Sequence, residues 1–288
     1  MPSPQPSPQP SPQPNPQPNP QSSPRSSHHP NLAPEVPRIN AFLAAFDRRQ
    51  AARTVEFPGG FAVFDERYPE SHGNNHLVVD GIPDDALSLP TLADEILGHL
   101  PHRMICVHDE ATATACAPPL VLAGYRHSAD LIMLYTGPEP ADSLTRLAAP
   151  VGLDAFREPL ARRWRGFLPD AHEEVVRQLV DRREARYRGA DTVHFIGSRA
   201  ETGDVASWAD LYADPAMGIA QIEDLNTSEE HLRRGHADAV VATALRLAAE
   251  AGCDTRFLIA DAEDWPRHWY ERRGFTVIGR SHCFERDN

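Results

Sequence analysis

Leu232-Arg233-Arg234-Gly235-His236-Ala237, set between a short apolar strand candidate at 218–227 and an alanine-rich run, is the stretch that decides the fold. A strand that enters a helix through such a loop builds a phosphate cradle. The N–H groups of the first helical turn have no intrahelical partners, and the helix dipole adds positive potential there. Gly235 lets the main chain come close to a ligand, and the small Ala237 keeps the entrance open. A lone glycine before a helix is also ordinary turn chemistry, so the segments that follow carry weight. The helix over 238–250 places Val240, Val241, Ala244, Leu245 and Ala248 at i, i+3, i+4 spacing and stops at Gly252. A second apolar run at 255–260 is a buried strand. Pro266 then opens a short helix that Gly274 closes, and an extended segment over 276–284 follows.

Taken in this order, the segments resemble the GNAT acyltransferase superfamily, whose members use acetyl-CoA or a related thioester. The family's phosphate loop reads Gln/Arg-x-x-Gly-x-Gly/Ala, and Gly235 and Ala237 fall on its last two defined positions, with Leu232 departing at the first. The family's Tyr-x-x-x-Gly-Phe ending is matched by Tyr270, Gly274 and Phe275, with Glu263 and Trp269 standing where asparagine and leucine are usual. The resemblance implies an α/β (α+β) fold over 151–288, with a mixed, mostly antiparallel, splayed sheet flanked by helices. It also implies roles. Leu225 and Thr227 offer backbone to the pantetheine arm of acetyl-CoA, and the N–H groups of Arg233, Arg234, Gly235, His236, Ala237 and Asp238 hold the pyrophosphate. Arg233 or Arg234 supplies the charge that Leu232 lacks.

By the same resemblance, the substrate amine attacks the thioester directly. Tyr270 is the candidate acid, a phenol of ordinary pKa ~10 beside a leaving thiol of ~8.5, with packing against Phe275 as its alternative use. Glu223, acting through a water, is the candidate base. Asp224 points to the opposite face of a regular strand, and which of the two carboxylates meets the cleft stays open.

Upstream, a helix over 169–186 begins with Asp170 and Glu173 at capping-box spacing and carries Val175, Val176, Leu179 and Val180 as its buried stripe. Strands over 192–197 and 205–212 are joined by a polar turn at 201–204. Before them, strands are expected at 61–65, 76–80, 102–109 and 130–135, with a helix over 89–100. This order parallels the C-terminal third: residues 76–80 match 220–224, 103–107 match 256–260, and Gly124-Tyr125 matches Gly274-Phe275. An internal duplication explains it, with a first copy that has lost the chemistry. At the loop position the first copy offers 86–91, with no glycine and with Pro90 removing a donor. The expected domains are a Pro/Gln/Ser-rich tail over 1–37, a degenerate, non-catalytic GNAT-like domain over 38–150 and the catalytic domain over 151–288. The tail repeats Ser3-Pro4-Gln5-Pro6 and holds almost no apolar side chains, so it reads as an extended spacer.

Composition narrows the function. Among 288 residues, the net charge of −13 disfavours nucleic acid and anionic membranes as partners and suits a cationic acceptor. All basic residues are arginine. Four cysteines without a CxxC pair, no leader pattern and no run near ~20 apolar residues point to a cytoplasmic, soluble protein, compatible with a homodimer. Dinucleotide, Walker and nucleophile-elbow motifs are missing from the sequence. No metal is expected: His72 and His76 are four apart, but the glycine and asparagines between them make a turn. Arg157, Arg162, Arg163 and Arg165 form a solvated surface with the capacity to meet a phosphate. The expected activity is transfer of an acetyl group from acetyl-CoA to a primary amine of a small molecule or peptide. The alternative is a catalytically inactive module that binds CoA or a partner protein.

Overall fold

A computed structural model describes residues 34–81, 85–263 and 265–287. The chain's first half opens with α1 (Glu35–Gln50), where Ile39, Phe42, Leu43 and Phe46 repeat at helical spacing and bury one face. It continues through β1 (Arg53–Phe57), β2 (Gly60–Phe64), β3 (His76–Val79), α2 (Leu89–Leu97), β4 (His102–Val107), α3 (Glu110–Leu122) and β5 (Arg126–Tyr135). A connecting stretch carries α4 (Asp142–Thr145), β6 (Ala148–Pro150), α5 (Arg157–Phe167), α6 (Glu173–Asp181) and α7 (Arg183–Arg186). The second half runs β7 (Thr192–Arg199), β8 (Val205–Asp214), β9 (Ile219–Thr227), α8 (His236–Glu250), β10 (Thr255–Asp261), α9 (Pro266–Glu271) and β11 (Phe275–Asp287).

The strands form one sheet in the order β1-β2-β3-β4-β11-β5-β10-β9-β8-β7-β6. Pairs β3/β4 and β9/β10 are parallel, and the other neighbours are antiparallel. Each half therefore repeats three antiparallel strands, a helix, a parallel strand, a helix and a last strand. The last strands change places. β5 of the first half pairs with β10 of the second, from Phe257↔Leu134 to Asp261↔Asp130, while β11 pairs with β4 through Cys283↔Cys106. β5 and β11 then lie side by side at the centre.

Burial along β8 shows how the layers form. Its side chains alternate between faces, yet every residue is buried because both faces are covered. Leu211 and Ala213 pack with Val240, Ala244 and Leu245 of α8. Tyr212 turns to the other face, against Phe46 of α1, and Trp208 stacks near Phe156.

Several expectations need correction. α1 begins at Glu35, inside the segment that composition gives to the tail; residues 1–33 lie outside the described residues. α1, β1, α3 and α5 were not foreseen. The continuous helix over 169–186 is two shorter helices, and its cap is His172, whose Nδ1 accepts from the Glu174 N–H at 3.2 Å, rather than Asp170. Among the described residues no helix is long and apolar enough to cross a membrane.

Candidate active site

β9 departs from its neighbours where the chemistry is expected. It pairs with β10 only from Thr255↔Ile219 to Leu258↔Ile222, after which β10 continues beside β5 alone. On its other side, the register with β8 slips between Asp210↔Glu223 and Trp208↔Asn226, so β9 carries an extra residue, and Asp224 adopts a φ of 52°. The bulge turns β9 away and opens the sheet from Glu223 onward.

A cleft of about 410 Å³ occupies this opening. Leu225 and Thr227 line one wall, the loop and first turn of α8 another, and Trp269 and Tyr270 of α9 a third. Arg233 (φ 60°) and Gly235 (φ 83°) both take left-handed backbone, and no side chain caps the helix at Gly235. A Cβ on Gly235 would meet nothing within 4 Å, so the glycine is required by its φ rather than by crowding within the protein. His236 ties the loop to β7 through Ser198 Oγ at 2.9 Å, and Asp238 accepts from Arg273, which bridges α8 to α9.

Tyr270 is buried beneath the cleft, with its ring edge-on to Trp269 at 5.2 Å and to Phe275 at 5.7 Å. Burial first, then the nearby Glu223 and Asp224, raise its hydroxyl well above the ordinary phenol range. The two carboxylates of β9 have separate fates. Asp224 receives Arg183 Nη2 at 2.9 Å and Arg186 Nη1 at 2.7 Å; burial opposes its charge, but these arginines outweigh burial and hold it far below the usual range. Glu223 is pushed up to about 8, by burial first and then by Asp224. Gln221 Nε2 donates to it at 2.6 Å. Glu223 lines a second cavity, of about 430 Å³, between β9, α1 and strands of the first half.

Residues 156–275 match the family model described as "Acetyltransferase (GNAT) family". Over these residues the chain carries a segment that matches the GNAT acetyltransferase family. A GCN5-related N-acetyltransferase from Kribbella flavida is similar over 87% of this chain and 95% of its own, at 18% identity and a TM-score of 0.57. A putative acetyltransferase of the GNAT family from Novosphingobium aromaticivorans is similar over 86% and 95%, at 19% identity and a TM-score of 0.53. A conserved protein of unknown function from Staphylococcus epidermidis is similar over 81% and 93%, at 12% identity and a TM-score of 0.58. No curated protein matches by sequence. The matched segment supports acyl transfer as the general chemistry.

The structure gathers Leu225, Thr227, Arg233, Gly235, His236, Ala237, Asp238 and Tyr270 on the lining of this one cleft. Arg234 is exposed and lies off that lining. Of the arginine cluster on α5, Arg157, Arg162 and Arg165 pair with acids, whereas Arg163 lines the cleft. His72 stacks on His102 at 3.8 Å and meets Glu285, and no group of three or more metal-ligating side chains occurs among the described residues. Two features escaped the sequence pattern: the ionic network of Arg183 and Arg186 with Asp210 and Asp224, and the first-half wall of the second cavity. The run Arg182-Arg183 with Arg186 four residues after the first was the available signal for the network.

Proposed function

We propose that this protein transfers an acetyl group from acetyl-CoA to the primary amine of a small acceptor by direct attack. The observation that carries the proposal is the opening between β9 and β10 at Glu223, lying between an uncapped helix N-terminus and a second, polar cavity. The residues fit the cosubstrate. The uncapped N–H groups at the start of α8 suit a pyrophosphate, and the edge of β9 left without β10 at Leu225 and Thr227 offers hydrogen bonds to an amide-bearing arm. Bound there, acetyl-CoA supplies an activated thioester.

The chain's own residues would do the proton work. Glu223, raised to about 8 and ionised in a growing fraction of molecules as pH rises through the neutral range, takes a proton from the attacking nitrogen as the N–C bond forms. Tyr270, kept protonated by its raised pKa, donates to sulfur as the C–S bond breaks, and solvent returns the proton from Glu223 to Tyr270 after release. Holding both reactants at the opening accounts for much of the rate in such a displacement.

The first half is inferred to be a non-catalytic GNAT-like domain. At the position of the phosphate loop, the Leu87 N–H is already taken by Asp85 Oδ1 at 3.0 Å, a carboxylate that would repel a phosphate. β3 stays paired with β4 to its end at Val79↔Val107, so no gap opens, and Leu120 stands four residues before Gly124 where Tyr270 precedes Gly274.

Calorimetric titration of acetyl-CoA, followed by an amine screen reading thiol release, tests the proposal. Micromolar binding with turnover supports it. Binding without turnover on any amine supports the inactive, CoA-binding alternative, and no binding removes the cofactor cleft from the account.

A further inference from the structure

The second cavity has an electrostatic mismatch that the transfer reaction alone does not explain. Three arginines sit at the junction of α6 and α7. Arg183 and Arg186 are matched by Asp210 and Asp224. Arg182, which lines the cavity, has no carboxylate within ion-pair distance among the described residues. Its Nη1 donates to Ser71 Oγ at 3.0 Å, its Nε is buried without an acceptor, and its guanidinium lies 5.5 Å from the centre of the Trp164 ring. Burial, then the charge of Arg186, pushes its pKa down to about 10, and the more distant Asp224 offsets only part of this.

The wall facing Arg182 is built around it. A Cβ at Gly73 would stand 3.2 Å from Nη1, so the glycine leaves room for the guanidinium. Ser71 Oγ passes its own hydrogen to Asn74 Oδ1 at 2.7 Å, which fixes the amide and leaves the buried Asn74 Nδ2 without an acceptor. Asn74 also lines the cavity. The Nε of Arg182 and the Nδ2 of Asn74 thus both lack acceptors, on two residues from opposite halves of the chain that line the same cavity, a costly arrangement unless an anion completes it. Glu223 and Asp130 line the cavity too, and both are raised by burial, which suits them to an amine.

We propose that the acceptor is an amino acid or related aminocarboxylate, with its amine directed to Glu223 and its carboxylate bound by Arg182 and Asn74. The proposal rests on the acetyltransferase reading for the fate of the amine. A carboxylate suits the planar edge of a guanidinium, whereas a phosphate dianion would also meet the acids of the same cavity. A plain diamine would leave Arg182 unmatched and add positive charge beside it.

The test uses the full chain with acetyl-CoA and pairs of acceptors that differ only in the carboxylate, from L-alanine and ethylamine through L-lysine and cadaverine to L-phenylalanine and phenethylamine, with 4-aminobutyrate and propylamine. Wild type should favour the carboxylate member of its preferred pair by about 100-fold in kcat/KM, mostly through KM. In Arg182→Gln this ratio should fall to near one, and Arg182→Lys should restore part of it. Calorimetry of the amino acids without acetyl-CoA gives a second readout of Arg182-dependent binding, and unfolding curves confirm that the variants fold. Equal turnover of the amine members, or a ratio unaffected by Arg182→Gln, overturns the proposal while leaving the transferase reading intact. The same holds if acetyl-CoA binds but no amino acid binds, as when the cavity holds only water. Arg182-dependent amino-acid binding in a protein that does not bind acetyl-CoA would instead remove the transferase reading and keep the ligand class. A preference for phosphorylated amines over carboxylated ones also overturns it.

Discussion

Replacing Glu223 by glutamine probes the proposed chemistry at one atom. In the folded protein its carboxyl titrates near 8, so at pH 6 about 1% of molecules carry the ionised base, and base-dependent turnover should lie roughly a hundredfold below its plateau. The acceptor's ammonium must also lose a proton, so log kcat/KM in wild type should rise on the acid side with a slope of about two. Glu223→Gln removes one of these ionisations. Its profile should keep a slope of about one, and its plateau should fall about 10²- to 10⁴-fold, the usual contribution of a positioned base. Stability gives an independent readout. A carboxyl raised in the folded state lends its full stability below the unfolded pKa, near 4.5, and loses it as pH climbs to about 8. Glu223→Gln carries no charge to bury, so it should match wild type near pH 5 and be the more stable protein at pH 9. The assay is initial rates of thiol release from pH 5.5 to 9.5, with urea unfolding at both ends. A variant profile of unchanged shape, merely displaced downward, refutes the assignment of Glu223 as base.

Four further outcomes are expected. Tyr270→Phe keeps the ring contacts with Trp269 and Phe275, so it should lower kcat 10- to 1000-fold while leaving acetyl-CoA affinity, measured by calorimetry, unchanged. Gly235→Val forces a β-branched residue to a φ of 83°, a strain of at least ~1–2 kcal/mol, and should abolish acetyl-CoA binding with only a small loss in unfolding temperature. Asp210→Ala leaves Arg183, Arg186 and the Tyr212 hydroxyl without their shared buried acceptor, and should cost about 3–5 kcal/mol in urea unfolding. Residues 151–288 alone lack β5 and β4, so β11 loses both partners and β10 keeps only β9; light scattering should show a dimer that exchanges β11 or an aggregate, and a stable monomer that binds acetyl-CoA would count against the exchanged topology.

The C-terminal third was legible because its signals are local. A positive φ at Gly235, Gly252 and Gly274 and a proline opening α9 are imposed by neighbouring residues, and the strands between them are continuous apolar runs. α3 was not legible, because Pro118 and Pro119 lie inside it; Asp109 nevertheless starts the helix by accepting from the Thr112 N–H at 2.8 Å, and Ala113, Cys116 and Leu120 bury its face. Asp170 has capping-box spacing to Glu173, yet helical structure begins only after His172 takes the capping role. On β9, alternation alone gave opposite faces to Glu223 and Asp224 but not their roles. Those depend on Arg183 and Arg186, which arrive from about forty positions earlier in the chain.

The exchange of β5 and β11 was the least legible feature, and it has the largest consequence for the site. Both strands mix an apolar run with polar residues, both follow a helix closed by a left-handed glycine, at Gly124 and Gly274, and both run antiparallel to their neighbours, β5 beside β10 and β11 beside β4. Nothing in a strand's own pattern says which gap it fills. Exchange brings Asp130 of β5 next to Asp261 of β10 and sets Cys283 of β11 opposite Cys106 of β4, so that strands from both halves floor the cavity holding Glu223 and Arg182. A first half without its own phosphate loop or tyrosine then still has a reason to be retained. It supplies Ser71, Gly73 and Asn74 around Arg182 and the central strand beside β10. The cleft at the start of α8, proposed for the cosubstrate, is lined by the second half alone, while the cavity proposed for the acceptor exists only where the two halves share one sheet.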